Sequence, residues 1–462
     1  MNKKSPAPTL PAGEKKHKFT KINKMLDIKF IREHADEVKE AIKNKRINLD
    51  LNELLRADQE RLSLLRESES FNQQKNDLND EITKAKDEKE RKELIEKGRA
   101  LREPDLGKLD EVKERFDELM AKVPTVPSPD TPIGKGEEDN KEIFRWGEPK
   151  KFDFEPKSHI EISKHLDILD FDRGTKVGGF RGYYVKNDGV LLTMGIMMYA
   201  LRKMVQKGFN PMIPPTLVKG FALFGSGYFK GLTYDSAVDE IYQVATSDKE
   251  ATGEFSGEKK FLVGTAEPSL LAYFANETLS VEDLPIKVCG YSQCYRSEIG
   301  SYSKDVKGLY RVHEFMKVEQ VAVAEADVEK ANKLQDEMTN ISGEMHEELG
   351  LPYRRLQICT GDMSPGKYRA FDIEAWLPGM NRWAETGSAS NFLDWQARRL
   401  NVRYTDAEGE KKFAYMLNNT ALPSPRVLIA IIENYQTKEG NIIVPEVLRE
   451  FVGKDVIKPS DK

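Results

Sequence analysis

The segment Cys294–Glu319 concentrates residue types that bind nucleotides. The guanidinium groups of Arg296 and Arg311 present paired N–H donors that match phosphate oxygens. The ring of Phe315 offers a flat face on which a base can stack. The carboxylate of Glu319 suits an ammonium group. Together these side chains predict a site for an anionic, purine-bearing ligand beside an amine.

Two strands are needed to position these side chains. Apolar stretches at Leu284–Val288 and Val318–Val323 flank a middle rich in glycine, serine and lysine, which predicts an antiparallel hairpin with a long loop. Alternate residues of a strand share one face, and the residues that this places together are Arg311, His313, Phe315, Lys317 and Glu319. We expect His313 to be a sheet residue rather than a catalyst.

Three further clusters carry polar side chains. Thr265–Glu267 follows an apolar strand, Glu385–Asn391 combines carboxylate and hydroxyl groups, and Asn418–Arg426 precedes an apolar helix. Taken singly, Thr265–Glu267 also suits an ordinary helix entry, and Glu385 also suits a surface ion pair. The clusters indicate a site only when they are taken together.

Arg426 and Glu385 suit ligands of opposite charge. A helix N-terminus is already positive, so an arginine there is unusual and indicates an anionic ligand at Arg426. Mg²⁺ prefers oxygen ligands and usually keeps several waters, which makes Glu385 with Ser388 a candidate pair. Asp372 and Glu374 share one face of a strand and suit a solvated surface, so we leave them unassigned.

Composition limits the classes of protein that fit. The 462 residues allow two or more domains, and 32% of them are charged although the net charge is only −5. The cysteines, Cys289, Cys294 and Cys359, have no CxxC spacing, which predicts a reducing compartment and no structural zinc. No apolar run approaches the length of a membrane span. Residues 1–24 are polar and proline-rich, and we expect a disordered tail.

The region from Met25 to Lys122 predicts helices. A narrow apolar seam between charged faces is typical of an antiparallel coiled-coil hairpin with its turn near Thr83–Arg91, and a helical bundle is the alternative. We expect Pro104 to kink or break the returning helix. The seam residues are Leu51, Leu55, Leu62, Leu65, Leu109, Val112, Phe116, Leu119 and Val123.

A proline-rich linker at 123–134 precedes a region with a different composition. There, strands and helices follow without a regular βαβ rhythm, which predicts an α+β fold around an antiparallel sheet. The elements that we expect are helices at Gly189–Lys207, Val328–Gly350 and Val427–Gln436, and extended segments at Phe209–Val218, Tyr368–Trp376 and Lys411–Leu417. Neither GxxxxGK[ST] nor GxGxxG occurs, so neither P-loop nor Rossmann chemistry is indicated.

These segments closely resemble the seryl-tRNA synthetases of class II, in their bacterial form, over Met25 to Val456. Cys294–Glu319 looks like motif 2 of that family, Asn418–Arg426 looks like motif 3, and Gly208–Pro215 looks like motif 1, which helps to form a dimer interface. The resemblance implies a class II antiparallel sheet flanked by helices, with an N-terminal coiled-coil arm. It implies a tRNA-binding arm and linker at 25–135 and a catalytic domain at 136–462, and it does not extend to the tail at 1–24, for which a start-site error is an alternative to disorder.

The resemblance implies that ATP and L-serine are substrates, that Mg²⁺ accompanies ATP, and that no zinc is used. Arg296 and Arg426 would be catalytic, and Glu385 with Ser388 would hold Mg²⁺. The ATP-binding residues would be Arg296, Ser297, Glu298, Arg311, Val312, Phe315, Glu385, Thr386, Gly387, Ser388 and Arg426. The serine-binding residues would be Thr265, Ala266, Glu267, Arg296, Glu319, Asn418 and Thr420.

The same resemblance implies transfer of serine to tRNA(Ser) by a cytoplasmic homodimer, and it leaves tRNA(Sec) open as a second acceptor. The arm would bind the tRNA by its shape and backbone. The basic residues expected at its tip are Lys84, Lys86, Lys89, Arg91 and Lys92. A solvated charge run is the alternative, because acidic residues intervene.

Two rival functions remain at this stage. A non-enzymatic paralogue would keep the fold for binding alone, but Arg296, Glu298, Glu385 and Arg426 are all present. An enzyme that activates an amino acid for a carrier other than tRNA should lack the arm, which this chain has.

Overall fold

The structure is a computed structural model that describes residues 27–101, 104–245, 249, 253, 257–299 and 307–460. The predicted tail at 1–24 lies outside the described residues, as do residues 300–306 in the loop of the motif 2 hairpin.

The N-terminal part is a helical hairpin that stands on a base of two short helices. Its chain reverses between Lys84 and Glu88, inside the predicted turn. The returning arm is broken between Ala100 and Leu106, where Pro104 was expected to break it. Its helices are α1 (Ile28–Glu33), α2 (Ala35–Asn44), α3 (Leu51–Lys84), α4 (Glu88–Ala100) and α5 (Leu106–Ala121).

The arm is held together mainly near its base. Along α3 and α5 a small cluster of Leu64, Leu109 and Val112 is buried, and Glu60 pairs with both Lys108 and Arg115 at 3.0 Å. The residues nearest the base bury their side chains in the main core of the protein, and they are Leu51, Leu54, Ala57, Leu119 and Val123. The base therefore folds with the rest of the chain, whereas the tip projects from it.

Two basic side chains fasten this base to the following region. Lys45 is buried, and its Nζ donates to the carbonyl of Pro365 at 2.9 Å and to that of Lys367. Arg399 donates through Nη2 to the carbonyl of Ala121 at 2.7 Å.

An eight-stranded sheet organises the remainder of the chain. Neighbouring strands are antiparallel at every step except the last, where β9 and β4 run parallel. This confirms the predicted α+β fold around an antiparallel sheet. In spatial order the strands are β1 (Lys141–Trp146), β11 (Tyr353–Gln357), β12 (Arg369–Leu377), β13 (Arg382–Asn391), β16 (Tyr415–Pro423), β10 (Glu314–Ala324), β9 (Ile286–Tyr295) and β4 (Asn210–Met212).

Smaller sheets and further helices surround this sheet. The remaining strands are β2 (Leu169–Asp170), β3 (Tyr184–Val185), β5 (Leu217–Lys219), β6 (Tyr242–Val244), β7 (Lys260–Leu262), β8 (Thr278–Ser280), β14 (Arg403–Thr405), β15 (Lys411–Phe413), β17 (Ile442–Ile443) and β18 (Val456–Ile457). The remaining helices are α6 (His159–His165), α7 (Phe171–Gly178), α8 (Asp188–Gln206), α9 (Gly220–Ser226), α10 (Glu267–Ala272), α11 (Val328–Glu348), α12 (Trp395–Leu400), α13 (Ser424–Asn434) and α14 (Arg449–Val452).

One face of the large sheet is covered by α8, α11 and α13, which confirm the three predicted helices. Buried side chains on that face bond to α11: Gln320 donates to Ser342 at 3.0 Å, and Asn419 donates to Ser342 at 2.9 Å. Because side chains alternate along a strand, Glu319 and Thr420 lie on the opposite face. The candidate site is on that opposite face.

The strand predicted over Lys411–Leu417 is wrong as a single element. The structure has β15, which ends at Phe413, and β16, which begins at Tyr415. Between them, the backbone N–H of Ala414 donates to the carbonyl of Val402 at 3.2 Å. The two strands therefore belong to different sheets.

Candidate active site

Two cavities meet on the open face of the sheet. The smaller, of about 60 Å³, is lined by residues that include Glu298, Phe315 and Arg426. The larger, of about 660 Å³, is lined by residues that include Glu267 and Glu319. The wall that both cavities share is formed by Arg296, Lys317, Glu385 and Thr420. Residues from the motif 2 hairpin, β13 and β16 are thus brought to one place.

The smaller cavity holds the aromatic and guanidinium groups predicted for a nucleotide. The guanidinium carbon of Arg296 lies 5.5 Å from the centre of the Phe315 ring. Arg311 donates to Glu298 Oε2 at 3.1 Å, and Glu298 is buried and adopts a φ of 53°. A left-handed backbone is strained for a glutamate, so this residue is held firmly by its surroundings.

Arg426 occupies the other side of this cavity. Its Nη1 donates to Glu385 Oε2 and to the Glu385 carbonyl, both at 2.9 Å. Its guanidinium carbon lies 4.6 Å from the centre of the Tyr310 ring, an aromatic residue that the sequence did not indicate. Arg426 and Phe315 therefore line the same cavity from different elements, α13 and β10.

A second carboxylate lies beside Glu385. Asp372 on β12 faces Ser388 on β13 in register. Burial, and after it the charge of Glu385, raise the pKa of Asp372 to about 7, although Lys367 and the hydroxyl of Ser388 act in the opposite direction. Although burial opposes it, the guanidinium of Arg426 lowers the pKa of Glu385. The solvated surface considered for Asp372 and Glu374 is wrong for Glu374, which is buried and accepts from Arg354 Nε at 2.6 Å. Asp372 is half-buried.

The described residues include no cluster of three or more histidine, cysteine, aspartate or glutamate side chains that could hold a metal alone. Asp372, Glu385 and Ser388 nevertheless form a set of hard oxygen donors. A Mg²⁺ ion that also takes phosphate oxygens needs only one or two protein carboxylates, so this donor set fits it.

Glu267 lies at the floor of the larger cavity, at the start of α10. Its Oε1 accepts from Gln396 Nε2 at 2.7 Å and from Asn418 Nδ2 at 2.8 Å, and its Oε2 accepts from the Tyr228 hydroxyl at 3.2 Å. Burial, and secondarily the charge of Glu319, raise the pKa of Glu267 to about 7. Gln396 and Tyr228 were not predicted, because no motif includes them.

Glu319 and Thr420 also line the larger cavity. The Thr420 hydroxyl lies 3.4 Å from Glu319 Oε2. Lys317 Nζ lies 2.6 Å from the same carboxylate oxygen and 3.4 Å from the Thr420 hydroxyl. The sequence placed Lys317 on this face but gave it no function.

The other predicted site residues lie around these groups. Thr265, Ala266, Val312 and Thr386 are buried, and Ser297 has a buried hydroxyl with no hydrogen-bond partner among the described residues. Gly387 follows Thr386 on β13, and both line the smaller cavity. His313 is placed as expected of a sheet residue, because its Nδ1 lies 2.8 Å from the carbonyl oxygen of Arg296.

The predicted arm residues lie together at the tip. Lys84 ends α3, and the other four lie between it and the middle of α4. All five side chains are exposed, and Lys92 pairs weakly with Glu88 at 3.6 Å. None of the described helices is long and apolar enough to span a membrane.

Comparison with known proteins identifies the family. Residues 25–127 match the model of the seryl-tRNA synthetase N-terminal domain, and residues 252–435 match that of the class II tRNA synthetase core domain for G, H, P, S and T. The serine–tRNA ligase of Treponema denticola is 37% identical over 438 residues, which cover 94% of this chain and 100% of the relative. The chain belongs to the seryl-tRNA synthetase family. The predicted resemblance and fold class are confirmed.

Other members of the family agree along nearly the whole chain. The serine–tRNA ligase of Deinococcus radiodurans is 40% identical over 93% of this chain and 98% of its own length. The crystal structure of seryl-tRNA synthetase from Pyrococcus horikoshii complexed with ATP is similar with a TM-score of 0.81 and 32% identity, covering 95% of this chain and 100% of that chain.

Proposed function

We propose that this protein activates L-serine with ATP and transfers the seryl group to the 3′ end of tRNA(Ser), for use in translation. The observation that carries the proposal is the shared wall of the two cavities. It joins a compartment with Phe315 and Arg426 to a compartment with Glu267 and Glu319. A nucleotide in the first and a small amino acid in the second would meet beside Arg296.

The smaller cavity is the proposed ATP site. Phe315 would stack against the adenine, while Glu298 and the backbone of Val312 would contact its edge. Arg296 would bind the α-phosphate, and Arg311 and Arg426 would bind the more distant phosphates. Arg426 and Glu385 are already paired at 2.9 Å, so the arginine is held at the phosphate end of the cavity. Ser297, Thr386 and Gly387 would complete the walls.

Mg²⁺ bound with ATP would neutralise phosphate charge at Glu385 and Ser388. Asp372 adds a carboxylate that faces the same place. The pKa of Asp372 is raised to about 7. A divalent cation nearby would favour the ionised form of this carboxyl group.

The larger cavity contains the proposed serine site. Glu267 and Glu319 supply carboxylates for the ammonium group, and Arg296 faces the carboxylate of serine. The hydroxyl of Thr420 and the amide of Asn418 would select the serine hydroxyl, with Thr265 and Ala266 closing the pocket. Alanine would leave these buried polar groups without partners, and discrimination of that kind is strong.

The first step needs no general base, because a bound carboxylate is already ionised near neutral pH. One of its oxygens forms a bond to the α-phosphorus, the bond from that phosphorus to the bridging oxygen breaks, and pyrophosphate leaves. Charge neutralisation and positioning account for most of the acceleration. In the second step a terminal ribose hydroxyl of tRNA attacks the seryl carbonyl and releases AMP.

We propose residues 25–135 as the tRNA-binding part and residues 136–462 as the catalytic part. The exposed basic tip, with Lys84, Lys86, Lys89, Arg91 and Lys92, would contact the tRNA backbone. A cytoplasmic location goes with this function, and tRNA(Sec) remains a second acceptor to be tested.

A homodimer is part of the same proposal. An apolar face of α8 is exposed although that helix lies against the sheet, and Ile213 beside β4 is 84% exposed. The exposed residues of α8 are Val190, Leu191, Met194, Met198 and Val205. A second copy of the chain would cover this surface, and sedimentation equilibrium tests it.

Pyrophosphate exchange into ATP, measured with each amino acid in turn, tests the activation step. We expect exchange with L-serine and little exchange with alanine, glycine or threonine. Exchange that is independent of serine, or equal with alanine, would contradict the proposed specificity.

A further inference from the structure

Lys317 lies midway between the proposed adenine and serine sites. It is on β10, two residues after Phe315 and two residues before Glu319. Two residues of a strand span roughly 6–7 Å and share one face. The aliphatic part of Lys317 therefore starts between the group proposed to stack on the base and the group proposed to bind the amine.

The ammonium group of Lys317 is enclosed in the site. Its side chain is 7% exposed, and that of Glu319 is 3% exposed. Nζ lies 2.6 Å from Glu319 Oε2 and 3.4 Å from the Thr420 hydroxyl. Glu319 and Thr420 are among the groups that the proposed function assigns to serine, so the lysine ammonium lies within the proposed serine site.

Lys317 also belongs to the wall shared by the two cavities. The other members of that wall are Arg296, Glu385 and Thr420, so Arg296 and Lys317 are its two cations. A carboxylate that attacks a phosphate brings two negative groups together. Fixed positive charge at that place stabilises the transition state more than the separated reactants.

We infer that Lys317 is a further catalytic residue whose ammonium group moves from Glu319 to the reacting groups when serine binds. The inference rests on the proposed function. The serine ammonium carries the same charge as Lys317 and takes its position beside Glu319. Lys317 then contacts an oxygen of the serine carboxylate or of the α-phosphate. No proton is transferred, and the oxygen–phosphorus bonds form and break as described above.

A structural function is the alternative explanation for Lys317. A buried carboxylate without a partner is destabilising, and Lys317 neutralises Glu319. In that case the lysine would matter only while Glu319 is charged. The two explanations therefore differ in what happens once Glu319 is made neutral.

A double-mutant cycle separates them. We would measure kcat for serine-dependent pyrophosphate exchange in the full chain and in Lys317→Met, Glu319→Gln and the double variant, from complete serine titrations. The double variant contains neither buried charge, so it avoids the instability expected of Lys317→Met alone. Thermal unfolding of all four proteins establishes that each is folded.

We expect Lys317→Met to lower kcat by about 10²–10³-fold in the Glu319→Gln background, the range found when one preorganised donor is removed. Lys317→Arg should restore part of kcat, because it keeps the charge. If Lys317→Met has no effect on kcat once Glu319 is neutral, the lysine is structural and the inference is wrong. Absence of serine-dependent exchange in the unmodified protein would instead overturn the proposed function, so the two failures are distinguishable.

Discussion

Gln396 donates through Nε2 to Glu267 Oε1 at 2.7 Å, across 129 positions of the sequence. The glutamine is fully buried and its helix, α12, fixes it below the larger cavity. This hydrogen bond orients the carboxylate toward the cavity and favours its ionised form. The charges of Lys317 and Lys367 also lower the pKa of Glu267. Burial and the charge of Glu319 outweigh all three effects and raise this pKa to about 7.

The first prediction is a pH dependence of serine use. Below about pH 7 Glu267 is protonated and cannot pair with the serine ammonium, whereas above that pH it is ionised. The value of kcat/KM for serine, which reports the free enzyme, should therefore rise about tenfold per pH unit up to pH 7 and then level off. Initial rates of pyrophosphate exchange between pH 5.5 and 8 would measure it.

Two variants identify the titrating group. Glu267→Gln should lower kcat/KM for serine and remove the rise near pH 7. Asp372→Asn should keep the rise, because Asp372 has a similar pKa but lies beside Glu385 and Ser388, the proposed Mg²⁺ ligands, and does not contact Glu267. A profile that flattens in Asp372→Asn and not in Glu267→Gln would reverse the assignment.

Thr420→Ala should weaken serine use more than ATP use. Its hydroxyl is 3.4 Å from both Glu319 Oε2 and Lys317 Nζ, on the serine side of the shared wall. Loss of one hydrogen-bond partner in a buried site corresponds to about 1–3 kcal/mol in kcat/KM for serine. Thr420→Ser, which keeps the hydroxyl, is the matched control. Equal effects on the two substrates would contradict the proposed contact of Thr420 with serine.

Arg296→Ala should abolish activation without unfolding the chain. The guanidinium faces both cavities and would lose its contact with the α-phosphate, so we expect kcat/KM for exchange to fall by at least about 10²-fold. Arg145→Ala is a control, because Arg145 is on the edge strand β1 and lines neither cavity; it pairs with Glu142 at 2.8 Å and lies over the ring of Trp383. Near-normal exchange in a folded Arg296→Ala protein would rule out the proposed contact.

Much of this site follows from local sequence pattern. The period of two along β10 places Phe315, Lys317 and Glu319 on one face, and the 2.6 Å pair between Lys317 and Glu319 agrees with it. The arm was predictable for the same reason, since helical spacing and a proline are local signals. Its turn and its break occur where the sequence indicates them.

The missed residues depend on pairing between distant segments. Asp372 faces Ser388 only because β12 and β13 pair in that register, and the sequence alone left the carboxylate on a solvated face. Gln396 and Tyr228 reach Glu267 from α12 and from the loop after α9. Neither Gln396 nor Tyr228 belongs to a repeating polar pattern in the sequence, so the sequence around them does not indicate their contacts with Glu267.

The last prediction concerns the arm, and the structure decides where it can be cut. Leu51, Leu54 and Leu119 are part of the main core, so a deletion that includes them would damage the catalytic part. Replacement of residues 68–103 by a short glycine–serine linker keeps the cluster of Leu64, Leu109 and Val112. It also keeps Asp105, whose side chain caps α5 by accepting from the Lys108 N–H at 2.9 Å.

This shortened chain should separate the two half-reactions. Serine-dependent pyrophosphate exchange should stay close to that of the full chain, because both cavities are formed by residues outside the deleted part. Charging of tRNA(Ser) should collapse, since the basic tip is gone.

In the full chain, replacement of the five basic tip residues by alanine should weaken tRNA binding and reduce its dependence on salt, because fewer counterions are released. Alanine at Lys39 and Lys43, exposed on α2 near the base, serves as the matched control. If charging survives the deletion while exchange is normal, recognition of tRNA does not depend on the arm, and an activating enzyme for another carrier becomes the better hypothesis.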